Sequence, residues 1–140
     1  MRRTIRTATL AACLALVGCG PGGPKTHPVQ GRVAVTNGEV AALAGGTVEA
    51  ALEGDPTVRA AGTIEPDGSF ELETYRDGAL RKGAVAGTYK VRMILPDDDP
   101  AARKKAAKAV HPKALRFETS GLSIEVPAAS EVRLELPGRP

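Results

Sequence analysis

Ile64-Glu65-Pro66-Asp67-Gly68-Ser69-Phe70 is the stretch from which the fold is read. Pro66 presets its own φ, Asp67 favours a turn and Gly68 accepts positive φ without steric cost, so the chain reverses here. The flanks alternate. Val58, Ala60, Gly62 and Ile64 share one face, against Arg59, Ala61, Thr63 and Glu65 on the other. Phe70 and Leu72 then share the returning face, with Glu71 and Glu73 opposite. Period two marks strands buried on one side. The stretch therefore predicts a β-hairpin whose apolar face belongs to a core.

The same alternation runs outward in both directions. Towards the N-terminus, Val29, Gly31, Val33 and Val35 alternate with Gln30, Arg32, Ala34 and Thr36, and Asn37-Gly38 is a residue pair suited to a tight hairpin turn. Ala41 to Gly46 reads as a small-residue loop with Leu43 tucked inward, and Val48, Ala50 and Leu52 alternate with Glu49, Ala51 and Glu53. Towards the C-terminus, 77–83 reads as a polar loop. Tyr89, Val91, Met93 and Leu95 form the next inward face, with Ile94 breaking the pattern as if both sides were covered there. Leu122, Ile124 and Val126, then Val132, Leu134 and Leu136, supply two closing strands, and 137–140 reads as a tail. Between them Asp99-Pro100 predicts a helix start, with Asp99 as cap and Pro100 in the first turn. Good helix formers continue to Val110, and His111-Pro112 ends the run. Seven short strands with regular turns predict an all-β sandwich over 29–136, with one short inserted helix near 100–110.

Ahead of this domain the chain has a different character. Arg2, Arg3 and Arg6 precede an apolar run from Ala8 to Val17, too short to span a bilayer and typical of a secretory signal over 1–18. The run ends in Leu16-Val17-Gly18-Cys19, which resembles the bacterial lipobox. That resemblance implies cleavage between Gly18 and Cys19, a diacylglycerol thioether on Cys19 and acyl chains including one on its new amino group (the palmitate type). Residues 19–28, rich in Gly and Pro, read as a flexible tether. Gly20, where some bacteria read Asp as a retention signal, leans towards the outer membrane.

The leader also changes the charge. The whole chain carries 19 basic and 16 acidic residues, and three of the basic ones leave with the leader. The mature chain is therefore balanced, unlike the basic surface that nucleic acid demands. Cys13 lies in the leader and Cys19 is the lipid site, so no cysteine pair remains for a disulfide.

His27-Pro28-Val29-Gln30-Gly31-Arg32-Val33, Gly46-Thr47-Val48, Asp67-Gly68-Ser69-Phe70 and Ala86-Gly87-Thr88-Tyr89-Lys90-Val91, followed by Thr119-Ser120-Gly121-Leu122 and Leu134-Glu135-Leu136, occur in a telling order. Together they resemble small bacterial lipoproteins of the planctomycete type that carry a carboxypeptidase regulatory-like, or transthyretin-like, domain. The resemblance implies a seven-stranded Greek-key sandwich of the prealbumin/Ig-like kind and a module without catalytic residues. The chain departs from that pattern at 97–113, where the acidic cap and basic helix are longer than the usual link.

No catalytic constellation emerges. Ser69, Ser120, Ser123 and Ser130 lack the strained elbow of a nucleophile. The ending Pro137-Gly138-Arg139-Pro140 differs from the Tyr-Arg-Gly-Ser ending of transthyretin-like hydrolases. Asp97, Asp98, Asp99 and His111 lack the interleaved spacing of a calcium loop and the ligand set of a zinc site, so no metal is expected. Of the four aromatics, only Tyr75 and Phe117 occupy positions not assigned inward, a thin platform for sugars. Arg103, Lys104, Lys105 and Lys108 are the sharpest functional candidates, able to meet anionic headgroups or an acidic partner. A solvated face balanced by Asp97–Asp99 is the plainer reading.

The expected protein is not an enzyme and carries no cofactor beyond its lipid. It is a membrane-anchored lipoprotein of the cell envelope, on the periplasmic or extracellular side, acting as an interaction or scaffold module for an envelope protein or polysaccharide. The alternative is a carrier or sensor for a glycan or small molecule, with 74–88 and 97–118 as its binding edge.

Overall fold

The computed structural model describes residues 23–140. Residues 1–18, with the cleavage position at Gly18, and Cys19 lie outside the described residues. The described chain is mostly β, with one α-helix. Its strands are β1 (Thr26–His27), β2 (Gln30–Val35), β3 (Thr47–Leu52), β4 (Arg59–Thr63), β5 (Ser69–Glu71), β6 (Glu73–Arg76), β7 (Ala79–Lys82), β8 (Ala84–Val85), β9 (Gly87–Ile94), β10 (Leu122–Val126) and β11 (Val132–Leu136). The helix, α1, is Pro100–Ala109. Six strands form one sheet in the order β10-β9-β3-β4-β6-β7, three form another in the order β11-β2-β5, and β1 pairs with β8. All pairs are antiparallel except β11 with β2.

The alternation read from the sequence matches the burial pattern except at the end of β3, where Ala51, expected outward, is buried and Leu52, expected inward, is half-buried. Val33 and Val35 on β2, Val48 and Ala50 on β3, and Tyr89, Val91 and Met93 on β9 are buried, and they join Phe70, Leu72, Ile124, Val126, Leu134 and Leu136 in one hydrophobic cluster. Both main sheets thus turn their apolar faces to the same core. The Tyr89 hydroxyl, buried with its ring, donates to the Val85 carbonyl at 2.8 Å, so the phenol brings no unpaired polar atom into the core. Ile94 departs from the expected double cover. It stands on the outer face and is 39% exposed.

The turn at 64–70 forms as read, but its two arms go to different sheets. Gly68 takes φ +86°, its N–H donates to the Glu65 carbonyl at 2.9 Å, and the Glu65 N–H donates to Ser69 at the same distance. The Asp67 carboxylate accepts from the Ser69 N–H at 2.9 Å. Yet β4 belongs to the six-stranded sheet, whereas β5 pairs with β2 in the three-stranded one. The chain then returns to the first sheet after Leu72, where β6 aligns Glu73 with Ala61. The feature read as a hairpin is thus a corner at which one run of chain serves both sheets. Gly62 permits it: a Cβ there would collide with the Glu71 backbone carbonyl.

Two loops are also redrawn. The expected hairpin at Asn37-Gly38 is a turn into a 3₁₀ segment, Val40–Leu43, whose Leu43 is buried as anticipated. The expected polar loop at 77–83 instead holds the turn and second strand of the tight hairpin β6–β7. The backbone explains the exchange. Asp77 and Gly78 both take positive φ, at 51° and 77°, as a type I′ hairpin turn requires, whereas at 37–38 only Asn37 does, at 57°.

The ends of the domain are drawn in more than expected. Thr26 and His27, placed in the tether by their composition, pair with Val85 and Ala84. Of the expected tail, Pro137 accepts from the His111 N–H at 2.9 Å and Arg139 donates its N–H to Ala109 at 3.2 Å. The helix cap is as read: the Asp99 carboxylate accepts from the Ala101 N–H at 2.9 Å, with Pro100 in the first turn. Ala106 and Val110 supply the buried side of this region.

Because Gly62 sits where the two sheets share backbone, Gly62→Ala is expected to lower unfolding free energy by about 1–3 kcal/mol, as overpacking does. Urea denaturation checks this. Ala61→Gly, on the outward side of the same strand, serves as the control for strand propensity and is expected to lose no more than about 1 kcal/mol.

Candidate functional site

The outer face of the six-stranded sheet carries the densest arrangement of polar side chains. Register places Glu49 on β3 between Arg92 on β9 and Ala61 on β4, with Glu73 of β6 beyond Ala61. Arg59, one outward position along β4, turns back to donate to Glu49 Oε1 at 2.8 Å, and Arg92 donates from Nε to Oε2. Both carboxylate oxygens are therefore engaged, and the Glu49 side chain is only 13% exposed. Phe117, from the segment after α1, lies against the same two cations: its ring centre is 5.3 Å from the Arg59 guanidinium carbon and 4.8 Å from that of Arg92. A cation over an aromatic face is attracted by the ring quadrupole, by about 0.5–1 kcal/mol at exposed sites. One carboxylate and one ring thus hold two arginines that would otherwise repel.

Burial by itself would raise the Glu49 carboxyl. The hydrogen bonds from Arg59 and Arg92, with their charges, outweigh it and hold the group below its ordinary value of 4.5. Each oxygen of the carboxylate accepts from one arginine, so the group ties β3 to β4 and β9 across the sheet surface.

Beside this clamp a groove of about 510 Å³ runs over β4 towards the β6–β7 hairpin, bordered by Arg59, Thr63, Glu65, Glu71, Tyr75 and Leu80. Tyr75 and Leu80 form a cross-strand pair and are 71% and 66% exposed. The composition pointed to Tyr75 only as a leftover aromatic. The one sequence signal for its pairing with Leu80 is Asp77-Gly78, the turn that sets the register of the hairpin.

Arg103, Lys104, Lys105 and Lys108 are all exposed on α1. Arg103 is tied to Asp97 at 2.9 Å, and the ion pairs among the described residues leave the three lysines out. The helix lies at the end of β2 remote from the N-terminal residues. A Cβ on Gly38 would be 3.8 Å from the Ala109 carbonyl, and Val110 bridges to Gly138. Asp97 and Asp99 do local work, as ion-pair partner and helix cap. His111 accepts at Nδ1 from the Lys113 N–H at 3.1 Å, and Ser69 and Ser120 donate to Asp67 and to the Val91 carbonyl. Among the described residues no group of three or more His, Cys, Asp and Glu side chains could hold a metal ion. No helix there is long and apolar enough to cross a membrane.

Comparison with protein-family models, curated proteins and solved structures found no match to this chain.

Replacing Glu49 by Gln should lower stability at pH 7 by about 1 kcal/mol, since the carboxylate is shielded but both arginines remain partly in water. The sign with pH follows from the lowered folded-state pKa. The carboxylate's contribution is complete above the unfolded value and is lost as pH falls through the folded one. The gap between wild type and Glu49→Gln should therefore close on acidification below about pH 4, which denaturant titrations at pH 7 and pH 3 measure.

Proposed function

We propose that this chain is a membrane-anchored, non-catalytic lipoprotein of the cell envelope whose β domain serves as an interaction or scaffold module. The observation that carries the reading is Leu16-Val17-Gly18-Cys19, placed after a basic and then an apolar run and followed within a few residues by the folded domain. Two acyl chains on Cys19 give a stable anchor where one would be marginal. The arrangement of polar side chains supports the non-catalytic part. Ser69, Ser120, His111 and Glu49 each satisfy local partners instead of converging on one point. The balanced mature charge argues against nucleic acid as the partner.

The finer architecture belongs to the same proposal: a Greek-key sandwich of the prealbumin type, related to carboxypeptidase regulatory-like domains. The seven strands expected from alternation correspond in order to β2, β3, β4, β5, β9, β10 and β11, and their inward residues meet in one cluster. These features support the relationship.

Cells producing the full chain and fed an alkyne-bearing fatty acid should label the wild type and leave Cys19→Ser unlabelled. Intact mass of the wild type should begin at a modified Cys19. An unmodified Cys19 in the membrane fraction overturns the anchor.

The groove beside Tyr75 and Leu80 favours a second reading, a carrier or sensor for a glycan or small molecule. A ligand at a hundredfold excess over its Kd stabilises the native state by about 2.7 kcal/mol. A thermal-shift panel of envelope polysaccharides should then show a clear upward shift that Tyr75→Ser removes. A flat panel retires this reading and leaves the first standing.

A further inference from the structure

We propose that the β6–β7 hairpin, with the cleft between it and residues 23–26, is the surface that faces and docks on the anionic phospholipid bilayer carrying the anchor. The inference rests on the lipoprotein reading and deepens it by naming which side of the domain meets the membrane.

The first argument is the reach of the chain. Gly23 lies against Arg76: a Cβ on Gly23 would be 3.6 Å from the Arg76 Nε. Four peptide steps from Cys19 to Gly23 span at most about 14 Å even when fully extended. A lipid on Cys19 therefore holds the bilayer surface within that distance of the hairpin. The domain is also fastened to this point. Thr26 and His27 pair with β8, and a Cβ on Gly83, just after β7, would collide with the His27 carbonyl.

The second argument is chemical. Lys25, Arg76 and Arg81 line a cleft of about 250 Å³ beside Gly23, with Asp77 as its one carboxylate. Among the described residues Arg76 has one carboxylate within ion-pair distance, that of the tip residue Asp77 at 3.9 Å. Lys25 and Arg81 have no carboxylate within ion-pair distance among the described residues. On the opposite face of the same hairpin stand Tyr75 and Leu80, the two most exposed large apolar side chains of the described residues. Lys82 on that face is engaged at 3.6 Å by Glu71. Guanidinium groups bind phosphate through paired donors, and tyrosine and leucine beside them suit the headgroup boundary. A hairpin meeting the bilayer tip first presents both faces to it.

This places the contact away from the lysines of α1. Strand β2 separates the two regions by about 17 Å along its length. Its first residue follows Val29, whose carbonyl accepts from Leu72 at 2.9 Å, and its end leads to Gly38 beneath the helix.

The test uses the full chain purified from membranes. Intact mass is read first, and the protein is then placed in vesicles of phosphatidylcholine alone or with phosphatidylglycerol. Hydrogen exchange at Tyr75–Lys82 should be about fivefold slower or more on the anionic vesicles, the factor that one cation near an anionic surface supplies. The triple variant Lys25→Gln, Arg76→Gln, Arg81→Gln should lose that protection, whereas Lys104→Gln, Lys105→Gln, Lys108→Gln should keep it. Circular dichroism of both variants confirms the fold. With Cys19 lipidated, equal exchange on both vesicles, or protection at α1 instead, overturns the docking surface alone. An unlipidated Cys19 overturns the anchor reading, and the chain-reach argument falls with it.

Discussion

The domain depends on one corner, at Leu72, where the chain leaves the three-stranded sheet and joins the six-stranded one. The Leu72 side chain is fully buried, its N–H donates to Val29 at 2.9 Å and its carbonyl accepts from Gly83 at 2.7 Å. One residue thus ties the start of the domain to the far side of the β6–β7 hairpin while its neighbours pair with different sheets. A chain that switches sheets must bring two backbones closer than side chains allow. Glycine at 62 and at 83 removes the Cβ atoms that would collide there. The position of the hairpin, and of the N-terminal residues beside it, follows from this packing constraint.

That corner also shows what could and could not be read from the sequence. Period-two alternation reports which side of a strand is buried, and it identified the inward residues Val33, Val48, Val91, Ile124 and Leu134 because each face meets either core or solvent. Alternation carries no information about the partner strand. Phe70 is inward whether β5 pairs with β4 or with β2, so the turn at 64–70 read as a hairpin when its arms belong to separate sheets. Asn37-Gly38 and Asp77-Gly78 look alike as residue pairs. The chain around them decides which one closes a hairpin, since Thr74 is held inward by its bond to the Gly83 carbonyl at 2.8 Å while β2 passes on to a 3₁₀ turn.

The outer-face clamp was legible only in pieces. Glu49, Arg59 and Arg92 fall on outward positions by alternation, but their convergence requires the order β9-β3-β4, which is a non-local property. Phe117 gave still less signal, because its segment has no periodicity and the ring is fixed by two cations from other strands. The helix at 100–109 was legible in full, because a cap and a first-turn proline act locally. The helix cap and the turn at 64–70 could be read because a few adjacent residues set them, whereas strand partners, and which Asx-Gly pair closes a hairpin, depend on the rest of the sheet.

The same distinction orders the two basic regions. A run such as Arg103-Lys104-Lys105 draws attention in a sequence because its charges are adjacent, whereas Lys25, Arg76 and Arg81 are scattered and meet only when β1 and the hairpin come together. For a surface held near a bilayer, adjacency in the chain matters less than position relative to the anchor, since surface potential decays within about 10 Å. On the lipoprotein reading, the tether is short enough for the scattered cations to come inside that range. The helix, at the other end of β2, is held beyond it unless the domain lies flat. Orientation by the hairpin would thus turn the lysines of α1, which make no ion pair among the described residues, away from the bilayer.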